Sequence, residues 1–183
     1  MSKPQRIDPR IQRVITVTKA SVATSQLETA IQLWFDDADS VSIHTLAVAA
    51  HDCYDALGRR PGKPSRWRKL MSARSRKDQI RSAYAQNFFK HGLKDLKKRA
   101  RYMPFHGEIL LFDSALCHEA IFQRATPLMK AFLLRFAMLF PEYVTVDIGE
   151  LIKAETGLVI DDIAPLNRSD FLKRVLPLLQ KAA

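Results

Sequence analysis

The sequence predicts an all-α protein, a bundle of about five helices with a short C-terminal helical extension. Apolar residues recur at a period near 3.6 in several separate segments, which is typical of helices that bury one face. Helix-capping residues, Pro and Gly mark the ends of those segments. At 183 residues and 47% hydrophobic content, the chain is long enough for one core, so we expect a single domain with an appendage.

The first two predicted helices form a hairpin. Residues 1–19 hold two prolines and no sustained apolar face, so they are expected to be a loose leader. The first helix covers about residues 20–35 and ends in the acidic stretch 36–39. Ser40 is the expected N-cap of the second helix, and Gly58 is its expected C-terminal cap. The pattern therefore predicts two antiparallel helices joined by a short acidic turn.

The middle of the chain completes the predicted bundle, which spans residues 20–140. Residues 59–73 contain two prolines and a glycine, and they are interpreted as a loop that is long for a helical bundle. The third, fourth and fifth helices are expected at about 74–91, 107–125 and 127–140, with Pro opening the fifth.

The C-terminal extension, residues 141–183, is expected to pack on the same domain. Two helices are predicted in it, at about 147–156 and 169–180. The short apolar runs 144–146 and 158–160 leave short strands open as an alternative.

Composition limits the class of protein. The most apolar window, 131–140, is too short to span a bilayer and contains Arg135, so no membrane association is expected. The basic, polar N-terminus does not look like a secretory signal, and a cytoplasmic location is expected. Cys53 and Cys117 lie in predicted helices without a second Cys at metal-ligand spacing, which predicts two reduced thiols.

The positive charge is concentrated in the middle third of the chain. The net charge is +10, and residues 59–101 contain 16 Lys or Arg against two Asp, which gives +14 there. Cations for phosphates together with an aromatic that can stack on an unpaired base are typical of nucleic-acid surfaces. An ordinary solvated face is the alternative, and residues 94–101 either extend the patch or form a charged connector. The expected nucleic-acid-binding residues are Arg59, Arg60, Lys63, Arg66, Trp67, Arg68, Lys69, Arg74, Arg76 and Lys77.

A short motif at the end of the third predicted helix provides the candidate catalytic residues. The sequence AQNFFKHG, residues 85–92, places Gln86, Asn87 and His91 before a helix-ending Gly. It resembles the motif of the HEPN (higher eukaryotes and prokaryotes nucleotide-binding) superfamily, in which an Arg, usually a polar residue next to it, and a His four to six residues after the Arg share a helix. Gln86 stands where that Arg should be. Residues 26–57 also resemble the first helical hairpin of the superfamily, and the likeness covers about residues 20–140.

This resemblance implies RNA cleavage without a metal or other cofactor, in a cleft between two subunits of a homodimer. In that chemistry His91 would move a proton near the scissile phosphate, since imidazole titrates near neutral pH. Gln86 lacks the permanent charge with which Arg would stabilise the transition state. The expected function is RNA or nucleotide binding with weak or absent cleavage, and an antitoxin-like protein partner is a further expectation. The alternative for Asn87 and His91 is that they only cap and pack the helix end.

Three polar residues share one side of the second helix. His44, His51 and Asp55 lie at spacings of seven and four residues. A metal site would need ligands at closer spacing and a further partner, so a polar stripe bonded within the bundle, or at a dimer face, is favoured. The alternative for the whole protein is a non-enzymatic interaction protein whose basic face docks nucleic acid or an acidic partner.

Overall fold

The computed structural model describes residues 14–90 and 99–182, without the side chains of residues 81–86 and 90. Within these ranges the chain forms nine α-helices and no strand, which confirms the all-α class. A 3-10 turn, Pro141–Tyr143, follows the sixth helix. The helices are α1 (Lys19–Phe35), α2 (Ser40–Arg59), α3 (Arg66–Ser72), α4 (Arg76–Lys90), α5 (Phe105–Phe122), α6 (Pro127–Leu139), α7 (Ile148–Thr156), α8 (Ile160–Ile163) and α9 (Arg168–Lys181).

The predicted number of helices, about five in the bundle and two in the C-terminal extension, is lower than the nine found in the described ranges. The interpretation of residues 59–73 as a loop is wrong for its second half, because α3 begins directly after Pro64 with Ser65 as its N-cap. The strands proposed at 144–146 and 158–160 are not formed. In the second of these runs, Val159 has extended backbone angles but serves as the N-cap residue of the short helix α8.

The ends of the first two helices follow capping rules. Thr18 and Ser21 form a reciprocal capping box at the start of α1. The N-cap of α2 is Asp39 and not Ser40, because the Asp39 carboxylate accepts a hydrogen bond from the backbone of Ser42 at 2.8 Å. This bond also lowers the pKa of Asp39. Gly58 lies inside α2 and does not cap it.

The core is built mainly by α1, α2 and α5, with α6 and α9 packed against them. Trp34 is its largest fully buried side chain. The Trp34 ring makes edge contacts with Phe35 and Phe132, at centroid distances of 5.0 Å and 4.9 Å. Burial of each such ring contributes roughly 2 to 3 kcal/mol of hydrophobic stabilisation. The apolar face predicted for α1 therefore lies in the hydrophobic core.

Helices α2 and α5 run in the same direction, and polar contacts join them. His51 of α2 contacts Asp113 of α5, and one helical turn later Tyr54 contacts His118. Residue numbers increase in the same direction along both helices from the first contact to the second, so the two helices are parallel. Both contacts are buried, and they lie about one helical turn apart along the two helices.

The C-terminal helices pack on the bundle through α9, which contacts α6 and α1. Arg168 at the start of α9 lies 4.0 Å over the ring of Trp34. Its guanidinium also forms ion pairs with Asp37 at 3.2 Å and Glu108 at 3.1 Å. One side chain therefore joins α9 to the α1–α2 turn and to α5.

None of the helices in the described ranges is long and apolar enough to cross a membrane.

Candidate nucleic-acid interface

Residues 59–77, which hold the predicted nucleic-acid-binding residues and which we call the basic segment, leave α2 through a tight turn. The backbone N–H of Lys63 donates to the carbonyl of Gly58 at 2.8 Å. A Cβ at residue 58 would lie 2.2 Å from the Lys63 carbonyl oxygen, so only glycine fits there. Gly62 has a φ of 71°, in the left-handed region that glycine adopts without strain. The turn directs the chain back onto the bundle, where α3 begins.

A buried polar cluster fixes the start of α3 to the core. We name it the Ser65 anchor, and it consists of Ser65, His51 and Asp113. The Ser65 hydroxyl donates to Asp113 Oδ2 at 2.6 Å, and His51 Nε2 lies 2.9 Å from both partners. The same hydroxyl accepts a hydrogen bond from the backbone of Arg68, which caps α3. Asp113 Oδ1 accepts from the backbone of Trp67 at 3.2 Å, so one carboxylate holds the first turn of the helix twice.

The electrostatics of the anchor favour an ionised Asp113. Burial acts to raise the pKa of this carboxyl group, but the hydrogen bonds from His51 and Ser65 outweigh it, and the net pKa is lowered. Because Asp113 is an acceptor, the Nε2 of His51 is the donor in their contact. The anchor is therefore a satisfied, charge-assisted network.

The Ser65 anchor does not have the geometry of a hydrolase triad, although it contains Ser, His and Asp. In a triad the carboxylate holds Nδ1 and the nucleophile meets Nε2. Here Asp113 and Ser65 share the Nε2 of His51, and Ser65 donates directly to Asp113. Ser65 is also 0% exposed, so no substrate carbonyl can reach it. The cluster positions α3 and performs no chemistry of this kind.

The cations of the segment divide into tethered and free side chains. Arg59 pairs with the buried Asp55 at 2.6 Å, and Arg68 pairs with Asp52 and, through Nε, with Asp55. The Lys63 ammonium donates to the carbonyl of Ala120 at 2.6 Å. These contacts hold three of the predicted cations against the bundle.

Five other cations are exposed and form no ion pair within the part of the chain that the structure describes. They lie on α3, on the following turn and on the first turn of α4, and we call this region the basic surface. Its residues are Arg66, Lys69, Arg74, Arg76 and Lys77. Arg60 is also exposed, but it lines a separate cleft with Lys19 and Cys53.

Trp67 is the one predicted aromatic of the segment, and it is half-buried. Its ring packs against the core and lies 6.4 Å from the ring of His106. Part of the indole therefore stabilises the attachment of α3, and the remainder is exposed to solvent.

The predicted catalytic residues lie at the edge of the described region. Asn87 is exposed in the last turn of α4. The side chain of Gln86 is not described, and His91 lies outside the described residues. The catalytic role of the motif therefore stays a prediction.

The histidine stripe of α2 is buried. His51 and Asp55 are hydrogen-bonded within the bundle, which agrees with the favoured interpretation of a polar stripe. His44 differs, because neither of its ring nitrogens has a hydrogen-bond partner among the described residues. Its ring is bordered by Phe89 of α4 and by Tyr102, and burial followed by the charge of His106 lowers its pKa. His44 is thus held as a neutral imidazole beneath the end of α4.

Sequence reasoning missed two residues of the site, Ser65 and Asp113. Asp113 had a detectable signal, because it is the one acid within the run ILLFDSALC of α5, where a charge facing the core must be paired. Ser65 follows Pro64 and has the residue type of an N-cap, which could have predicted α3. Among the described residues, no group of three or more His, Cys, Asp or Glu side chains could hold a metal ion.

No protein-family model, curated protein or solved structure matches this chain significantly.

Proposed function

We propose that this protein is a HEPN-like RNA-binding protein and that single-stranded RNA lies along the basic surface. The observation that carries the proposal is the set of five exposed cations without acidic partners in the described ranges. Residues 59–77 contain nine Lys or Arg and no Asp or Glu, and the next acid in the sequence, Asp78, accepts a hydrogen bond from Ser75. Each phosphate that such a surface contacts releases counterions and adds to the binding free energy.

The Ser65 anchor supports this proposal because it makes the basic helix rigid. A binding helix that is already ordered loses less conformational entropy when it meets its ligand. The charge-assisted bond from Ser65 to Asp113 and the backbone bond from Trp67 fix the position of α3 before any ligand arrives. The backbone that carries Arg66 and Lys69 is thereby held in place, and both side chains are exposed to solvent.

A single strand is favoured over a duplex by the position of Trp67. Single-stranded RNA exposes bases that stack on aromatic rings, and such stacking contributes about 1 to 3 kcal/mol per base. The half-buried Trp67 lies on the same helix as Arg66 and Lys69, so a base and its phosphate can be bound together.

Cleavage is proposed to be weak or absent. In the superfamily motif that residues 86–91 resemble, an Arg holds the phosphate, and Gln86 cannot supply its charge. His91 would be the acid or base of any remaining activity, in a cleft that a second copy of the chain completes. The homodimer and an antitoxin-like partner belong to this proposal through the resemblance.

A protein partner is the second candidate, and one observation favours it. Leu70 and Ile80 are 50% and 58% exposed and lie among the cations of α3 and α4. Exposed apolar side chains within a charged region are typical of protein interfaces. An acidic partner with apolar contacts would use this combination, whereas phosphate binding does not need it.

Fluorescence anisotropy with a labelled single-stranded RNA tests the proposal. The double variant Arg66→Glu/Lys69→Glu should bind at least tenfold more weakly, because two phosphate contacts are lost and two repulsions added. The matched control Lys153→Glu/Arg174→Glu makes the same charge change on α7 and α9 and should have a much smaller effect. Equal losses in both variants would show that only net charge matters. If RNA does not bind, and Leu70→Ser/Ile80→Ser abolishes capture of an acidic protein, the second candidate is correct.

A further inference from the structure

His44 of α2 is a buried titratable side chain that the proposed RNA binding does not use. Its exposed fraction is 3%, and neither of its ring nitrogens has a hydrogen-bond partner among the described residues. No other residue in that part of the chain has two such buried, unpartnered polar atoms. A buried polar group without a partner lowers stability, and native proteins keep few of them. An imidazole in this state indicates a role beyond packing.

Three structural elements enclose the His44 ring. From α4, the ring of Phe89 lies 5.7 Å away at an interplanar angle of 84°. From the segment before α5, the ring of Tyr102 lies 5.8 Å away, and its hydroxyl is hydrogen-bonded to Ser40. From α5, His106 acts on the ring through its charge. We call His44, Phe89, Tyr102 and His106 the His44 cluster.

The His44 cluster is suited to a neutral imidazole and not to a charged one. Its other titratable members are Tyr102 and His106, and it contains no carboxylate. Burial and then the charge of His106 lower the pKa of His44, and burial lowers the pKa of His106 as well. A proton added to His44 would create a cation that has two buried N–H donors, no acceptor for them among the described residues, and a second histidine nearby.

Helix α4 is the element that moves away from His44 most easily. Helix α5 is held close, because a Cβ at Gly107 would lie only 3.4 Å from the Cα of His44. Helices α2 and α5 also contribute many side chains to the hydrophobic core. In α4, by contrast, none of the side chains at 76–80 and 87–89, whose burial the structure describes, is buried. Elements with few buried apolar contacts open at the lowest free energy.

We propose that the His44 cluster is an acid-sensitive switch, which holds the last turn of α4 on the bundle at neutral pH and releases it as the pH falls. The contact between Phe89 and His44 breaks, and water then solvates the imidazolium. Helix α4 carries Arg76 and Lys77 of the basic surface in its first turn and Asn87 in its last. Its release therefore changes the positions of both candidate regions. The switch is a property of the free protein and does not depend on RNA binding.

The direction of the pH effect follows from the difference in pKa between the two states. In the released state His44 is solvated and titrates near its ordinary pKa of 6.5, whereas its pKa in the closed state is lower. The released state therefore binds the proton more readily. The closed state has its full advantage above pH 6.5 and loses it as the pH falls towards the lower, closed-state pKa. Over that interval the equilibrium constant for opening rises up to about tenfold per pH unit.

Hydrogen exchange of the free, full chain, measured by mass spectrometry at about pH 7.5 and about pH 5.5, tests this proposal, with labelling times scaled to the intrinsic exchange rates. In wild type, the protection of the last turn of α4 should fall at least about fivefold on acidification, while that of α1 stays constant. His44→Leu cannot titrate and should lose most of this fall. His44→Gln, a polar substitution that also cannot titrate, should do the same and guards against misfolding of the first variant.

His118→Gln is the control, because His118 is also buried but lies at the other end of α5, beside Phe122. It should keep the wild-type fall. His106→Gln should keep the fall and move its midpoint to higher pH, since the neighbouring charge no longer lowers the pKa of His44. Constant protection in wild type, an undiminished fall in both His44 variants, or loss of the fall in His118→Gln would overturn the proposal. Loss of the fall in His106→Gln with its retention in His44→Leu would assign the titration to His106 and overturn it as well.

Discussion

Ser65→Ala is the sharpest test of how the basic helix is held. The substitution removes a hydroxyl that caps α3 and donates to the buried Asp113 at 2.6 Å. Loss of an N-cap costs about 0.5 to 2 kcal/mol, and loss of a hydrogen bond to an ionised partner costs about 1.5 to 3 kcal/mol. Because the two effects share one oxygen atom, we expect the free energy of unfolding to fall by about 2 to 4 kcal/mol in total.

Urea denaturation followed by circular dichroism measures this change. Ser72→Ala is the matched control, because Ser72 is exposed at the other end of α3 and should change stability by no more than about 0.5 kcal/mol. RNA affinity should fall in Ser65→Ala and stay constant in Ser72→Ala, since only the first releases the helix. A change below about 0.5 kcal/mol in Ser65→Ala would refute the anchor.

Three further predictions concern other parts of the account. First, the folded-state pKa of Asp113 is lowered, so its ionised form stabilises the protein above its ordinary pKa of 3.8, and this stabilisation is lost as the pH falls through the lower, folded pKa. The difference in unfolding free energy between wild type and Asp113→Asn should therefore be full near pH 7 and shrink below about pH 4; a constant difference would contradict the assignment. Second, Trp67→Ala should weaken RNA binding by about 1 to 3 kcal/mol if a base stacks on the exposed part of its ring, and anisotropy titration should detect it. Third, wild type should cleave a labelled RNA weakly or not at all without divalent metal. There, His91→Ala should abolish any cleavage and Gln86→Arg should raise it; equal inactivity of all three folded proteins would remove the catalytic part of the resemblance.

The helices with strong apolar stripes could be predicted from the sequence. The helical periodicity of the apolar residues in α1 and α2 predicted that Ile31, Ala47 and Tyr54 lie on buried faces, and all three are fully buried. Such stripes report burial directly, because hydrophobic surface that faces the core repeats with the helical period. The fold class and the hairpin therefore followed from local pattern alone.

Helix α3 could not be predicted in the same way, because its stability comes from distant residues. It contains seven residues, none of them buried, so it has no apolar stripe. Its first turn is held by Asp113 of α5, which is 48 positions from Ser65 in the sequence. The distribution of Lys and Arg in the sequence predicted where the basic surface lies. Only the fold shows that Arg68 forms an ion pair with Asp52, whereas Arg66 and Lys69 form none among the described residues.

The contact between Tyr54 and His118 illustrates a second limit of sequence reasoning. Tyr54 and His118 lie 64 residues apart and meet only because α2 and α5 are parallel. Tyr54 appeared in the sequence as one apolar position of a stripe, and the structure shows that its hydroxyl orients His118. Burial raises the pKa of Tyr54 to about 12, so the hydroxyl keeps its proton for this contact at neutral pH.

The salt dependence of RNA binding tests the central claim most directly. For a single strand, the logarithm of the binding constant falls with the logarithm of the salt concentration by about 0.7 per phosphate contacted. Wild type should show a clear negative slope, and Arg66→Gln/Lys69→Gln should make the slope shallower by about 1.4, which corresponds to two lost contacts. The control Lys153→Gln/Arg174→Gln should keep the wild-type slope. A slope near zero in wild type, or the same slope in both double variants, would contradict the assignment of RNA binding to the basic surface.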